Sequence, residues 1–83
     1  MMERDIALFI STHETLRAEK FLIKGDINFR TIIKPRSITS ECSMALEFDS
    51  RDREKVRGIC KDNNLKLSGI FSFDENGIWK KLE

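Results

Sequence analysis

Asp5-Ile-Ala-Leu-Phe-Ile-Ser-Thr-His-Glu14 decides how this chain is read. From Asp5 to Ile10 the side chains are almost continuously apolar and the run is too short for an independent helix, which is the pattern of a buried central strand. At Ser11 the pattern changes. Ser11 and Glu14 have capping-box spacing, in which the hydroxyl accepts an amide hydrogen bond from the first helical turn while the carboxylate reaches back to the cap. The spacing predicts a helix over 12–24, stopped by Gly25. Ala18 and Leu22 lie on one side of that helix, with Leu16 and Ile23 roughly opposite, so a second apolar stripe is left over as a candidate subunit contact.

Outward from this unit, Asn28-Phe-Arg-Thr-Ile-Ile-Lys34 is rich in β-branched and aromatic residues and ends at Pro35, which cannot donate a ladder hydrogen bond; a second strand is predicted there. Beyond the polar connection 36–41, Met44, Leu46 and Phe48 alternate with Ser43, Ala45 and Glu47 as a third strand. Asp49 or Ser50 can cap a second helix, in which Val56, Ile59, Cys60 and Asn63 share a face and Asn63-Asn64 marks the end. Leu67 to Phe73 reads as a fourth strand of period two. Asn76-Gly77 favours the positive φ of a tight hairpin into a short edge strand over 78–82.

The order β-α-β-β-α-β with a short tail predicts an α+β, ferredoxin-like domain over residues 1–83, with both helices on one face of an antiparallel sheet. In that topology the first two strands run parallel. The end of strand one, the start of helix one and the loop holding Cys42 then meet at one edge of the sheet, which makes His13 and Cys42 candidate neighbours.

Composition narrows the function classes. Fifteen basic and fourteen acidic side chains among 83 residues leave a formal charge of +1, so there is no global field to hold a nucleic acid. Hydrophobic residues at 40% and charged residues at 35% suit a compact core with a hydrated surface rather than disorder. The run from Ile6 to Ile10 is too short for a membrane span or a signal-peptide core, and a cytoplasmic location is expected by default. Two cysteines in so small a chain suit a reducing compartment, where Cys42 and Cys60 stay thiols rather than a disulfide. One histidine and two cysteines at wide spacing make no metal site, and no Gly-rich phosphate loop is present, so neither a metal nor any other cofactor is expected.

Chemistry is left to Cys42. Cys60 sits on the apolar face of the second helix and reads as a small core hydrophobe. Cys42 lies between Glu41 and Ser43 in a segment too polar for core, with Arg36, Ser37, Thr39 and Ser40 upstream. A helix N-terminus favours a thiolate through its free amides and dipole, and the predicted topology points the first helix at this loop. His13 or Arg36 would add to that effect, while Glu41 opposes it. The bland alternative is a small residue entering a strand.

The chain resembles a family of small bacterial domains described as selenium or sulfur carrier protein-like. Two stretches carry the resemblance: Ser11-Thr-His-Glu-Thr-Leu-Arg-Ala-Glu-Lys20, and Pro35-Arg-Ser-Ile-Thr-Ser-Glu-Cys-Ser-Met-Ala-Leu46 around the cysteine. Thr12, His13, Pro35, Arg36, Ile38, Ser40, Cys42, Ala45 and Leu46 match the family pattern, whereas Glu41 replaces a serine and Ser43 stands where glycine is usual. The resemblance implies that Cys42 takes a sulfur or selenium atom as a persulfide or selenosulfide and passes it on without being an enzyme. It implies that Thr12, His13, Arg36 and Ser40 shape the site, and that the partners are donor and acceptor proteins rather than nucleic acid or membrane. The competing expectation is a protein-binding or regulatory module, with a homodimer through the second stripe of helix one and an incidental cysteine. An enzyme ranks third, because a lone thiol with one histidine lacks a third, orienting group.

Overall fold

The structure, a computed structural model, describes residues 3–38, 42–73 and 76–82. It is α+β and ferredoxin-like: β1 (Arg4–Phe9), α1 (Thr12–Lys24), β2 (Phe29–Ile33), β3 (Met44–Asp49), α2 (Arg53–Asp62), β4 (Leu67–Phe73) and β5 (Trp79–Lys81). The sheet order is β2-β3-β1-β4-β5 with every neighbouring pair antiparallel. β1 and β2 therefore run parallel with β3 between them, as the element order requires.

Strand alternation splits the apolar residues of β1 between two clusters. Ala7 and Phe9 face the helices and join Ala18 and Leu22 of α1, Val56 and Cys60 of α2, and Leu46, Phe48 and Ile70 of the sheet. Burying each large aliphatic or aromatic side chain of that layer contributes about 1.5–3 kcal/mol. Ile6 and Leu8 point the other way and are buried too, beneath Ile38, Ala45, Ile32, Phe71 and Trp79. The helix-free face is thus covered by Ile38 toward one end of the sheet and by Trp79, whose ring meets Phe73 at 4.8 Å, toward the other.

Both helices close with the same device. After α1, the N–H of Ile27 donates to Leu22 O and that of Asp26 to Ile23 O; after α2, the N–H of Leu65 donates to Cys60 O and that of Asn64 to Lys61 O. Each is a Schellman closure whose left-handed residue is Asp26 (φ 60) or Asn64 (φ 53). Gly25, read from sequence as the stop, instead has φ −85. It is needed for space, because a Cβ there would come within 2.6 Å of Ile59 Cδ1, where α2 crosses the end of α1.

Three other local expectations change. The hydroxyl of Ser11 accepts from Glu14 N at 3.2 Å, but the Glu14 carboxylate turns away from the cap to accept from Lys66 N at 2.6 Å. Asp49 caps a short 3₁₀ turn, Ser50–Asp52, rather than α2 itself. Phe73 pairs with Trp79, so the last connection takes residues 74–78, longer than a tight hairpin, with Gly77 at φ +77.

Candidate functional site

The parallel course of β1 and β2 brings the first turns of α1 and the β2–β3 connection to the same end of the sheet. A contact between the two is made by Thr15 and Cys42. Thr15 lies on the stripe that Ala18 and Leu22 continue, beside a buried Glu14, and it is fully buried. Its hydroxyl lies 3.5 Å from Cys42 Sγ and donates to the carbonyl of Ser11 at 3.0 Å. Cys42 Sγ also donates to Met44 O at 3.3 Å. Both of these neighbours are oxygens able to accept the thiol proton.

The exposure of Cys42 differs from the expectation. Its relative exposure is 2%, although its segment is polar. Cys42 continues the β3 alternation of Met44, Leu46 and Phe48, so its side chain enters on the helix side and α1 covers it. Cys60 is buried in the core, as read from sequence.

Thr12 and His13 are exposed in the first turn of α1, and Arg36 is exposed in the connection. They share an end of the sheet with Cys42, through the topology. Ser40, together with Thr39 and Glu41, lies outside the described residues.

The walls of the site are held by groups that sequence reasoning missed. Glu14 receives the Lys66 N–H and pairs with Arg17 at 3.1 Å, while Arg17 Nη2 donates to Asn63 O at 3.1 Å. Together they tie the start of α1 to the α2–β4 connection. The Lys66 amide holds the Glu14 carboxyl below its ordinary value; burial opposes this and Arg17 reinforces it. At the opposite end of β1, away from Cys42, a buried Asp5 accepts from Ser50 Oγ at 2.6 Å and from Nε and Nη2 of Arg53. On the other side, Pro35 to Ile38 form a turn closed by Ile38 N donating to Pro35 O, with Lys34 Nζ donating to Ile38 O. A threonine on a helix stripe otherwise made of core residues was the one available sign of Thr15; nothing local marked Lys66 or the seat of Ile38.

Among the described residues, no group of three His, Cys, Asp or Glu side chains is placed to hold a metal ion, and no helix is long and apolar enough to cross a membrane. Comparison with curated proteins and with solved structures returned no match. A family model spans residues 5–72, which takes in both helices, the first four strands and the Thr15–Cys42 contact. The chain belongs to the family described as Putative Se/S carrier protein-like.

Proposed function

We propose that this protein is a cytoplasmic, non-enzymatic carrier in which Cys42 accepts a sulfur or selenium atom from a donor protein and delivers it to an acceptor protein. The observation that supports it is the placement of Cys42 against Thr15 at the end of the sheet that carries His13 and Arg36, in a chain of the Se/S carrier-like family. In the sulfur case the Cys42 thiolate attacks the outer sulfur of a donor persulfide. The donor S–S bond breaks, its electron pair leaves with the donor thiolate, and a Cys42 persulfide remains; the acceptor thiolate repeats the exchange in the other direction. Thr12, His13, Arg36 and Ser40 take the role of receiving the anionic donor group. Arg36 supplies positive charge, His13 an imidazole N–H, and Thr12 and Ser40 hydroxyls.

Intact mass after incubation with a persulfide-loaded cysteine desulfurase tests this reading. One added sulfur, lost in Cys42→Ser and retained in Cys60→Ser, is the expected result. An unchanged mass in the presence of a competent donor rules the carrier out.

One observation favours the alternative, a protein-pairing module. Leu16 and Ile23 are exposed on α1 on the side that overhangs the edge strand β2, where Glu19 binds Thr31, and Ile33 of that strand is 84% exposed. A homodimer that aligns two β2 edges and two α1 stripes would cover these residues. Sedimentation at high concentration decides it, since a strict monomer that captures no partner removes this reading.

A further inference from the structure

We propose that the free edge of β2 is a docking site for an extended segment of a partner protein, one whose side chains alternate between apolar groups and carboxylates. β2 is the outer strand of the sheet. At the root of its hairpin Lys34 N donates to Ser43 O at 2.8 Å, and this register makes Lys34 with Ser43, Ile32 with Ala45 and Arg30 with Glu47 the hydrogen-bonded pairs of the β2–β3 ladder. Phe29, Thr31 and Ile33 therefore direct their amides and carbonyls away from the sheet, where an added strand would pair with them.

The two faces beside this edge differ, and the difference sets the chemistry of the occupant. On the helix side stand Ile33 and the α1 stripe of Leu16 and Ile23, all exposed, with the stripe brought over the edge by the hydrogen bond from Thr31 to Glu19. On the helix-free side Arg30 and Lys34 flank Ile32. Arg30 shares Glu47 with Arg4, so two guanidinium charges meet one carboxylate there. Lys34 donates to a neutral acceptor, Ile38 O. In a strand laid along β2, successive side chains fall on alternate faces. Those on one face meet Leu16, Ile23 and Ile33, and those on the other meet Arg30 and Lys34, which calls for apolar residues alternating with Asp or Glu. A second copy of the chain suits the apolar face only, since its own Arg30 and Lys34 would lie beside the first pair.

The position of the edge ties it to the thiol. Ile33 lies opposite Met44, whose carbonyl accepts from Cys42 Sγ, so a segment seated on β2 is led toward the end of the sheet that holds the sulfur. The inference rests on the carrier reading for the partner's role as donor or acceptor, while the edge itself rests on register, exposure and charge.

Two end-blocked synthetic peptides test it on the full chain, one alternating valine with glutamate and one alternating valine with lysine. Chemical-shift titration gives their affinities, and water-exchange NMR reads each backbone amide. With the glutamate peptide at about ten times its dissociation constant, the amides of Phe29, Thr31 and Ile33 are expected to exchange about tenfold more slowly, with those of β5 unchanged. The lysine peptide is expected to bind about tenfold more weakly. Lys34→Glu should narrow or reverse that preference. Ile33→Pro removes an outward amide that the β3 ladder does not use, and should abolish binding while leaving the thermal midpoint near the parent's. The peptide comparison on the parent needs no variant to fold.

Equal affinities for the two peptides, protection at β5 instead of β2, or no protection at all overturns the proposal. So does concentration-dependent protection of Phe29, Thr31 and Ile33 without peptide, which would give the edge to a second copy. Persulfide loading of Cys42 with no peptide binding would remove the docking edge and keep the carrier. Peptide binding at β2 with no loading would remove the carrier and keep the edge.

Discussion

The hydroxyl oxygen of Thr15 stands 3.5 Å from the sulfur of Cys42 while its proton is directed at the carbonyl of Ser11, 3.0 Å away. A hydroxyl and a thiol carry one proton each, and with the Thr15 proton directed at Ser11 O and the Cys42 proton directed at Met44 O at 3.3 Å, either group donates across the oxygen–sulfur contact only by leaving its other acceptor. Thr15→Val keeps the shape and deletes the oxygen, and is expected to lower stability by about 1 kcal/mol. Thr15→Ala also removes a methyl group from a fully buried site and should lose about 2 kcal/mol. Urea midpoints of the two variants check this. Equal losses would place the whole effect in the hydroxyl.

Glu14 gives an acid-side dependence. Its folded pKa is depressed below 4.5, chiefly by the Lys66 amide. A depressed carboxylate contributes stability that is fully present above the unfolded value and is lost as pH falls through the folded one. Glu14→Gln is therefore expected to cost about 1 kcal/mol at neutral pH. The gap between variant and parent should close as pH drops below about 4.5. Thermal unfolding scans of both proteins from pH 7 to pH 3 test it, and a gap that stays constant would contradict it.

Asp5 is 0% exposed and its carboxylate is held by Arg53 and Ser50. Removing one partner leaves the other charge without compensation, so Asp5→Ala should destabilise by about 3 kcal/mol. The double variant Asp5→Leu with Arg53→Met removes both charges and should recover much of that loss. Guanidinium denaturation of the single and double variants provides the comparison.

Gly25 and Ile59 should show a coupling of changing sign. Gly25→Ala alone forces a Cβ toward Ile59 Cδ1, at 2.6 Å in the parent, and should destabilise by about 1 kcal/mol. In an Ile59→Val background that methyl group is gone. The same change then restricts the unfolded chain at an allowed φ of −85 and should stabilise by about 0.5 kcal/mol. A double-mutant cycle measures the difference.

The elements could be read from the chain because each rests on a short-range pattern. Apolar continuity marked β1, the Ser11 cap and the 18, 22 spacing marked α1 at its observed bounds Thr12–Lys24, and period two marked β4 at Leu67–Phe73. Their order then leaves few right-handed, antiparallel arrangements, which is why the ferredoxin-like sheet and the shared end of α1 and the cysteine connection could be inferred before any coordinates. Local patterning placed Cys60 in the core, where it lies, but it did not foresee that Cys42 is buried as well.

Choices between competing partners were not written in any local window. The Glu14 carboxylate could bind its own cap or a distant amide, and the Lys66 N–H, 52 positions away, took it once α1 packed beside the α2–β4 connection. Polarity around Cys42 suggested a thiol open to water, yet strand parity turned it under α1 while Ile38 dropped onto the other face. A connection's composition records what water tolerates, whereas which face each side chain takes depends on elements far along the chain. The seat of the sulfur is such a case, because burial is a property of assembled layers and no stretch of neighbouring residues carries it.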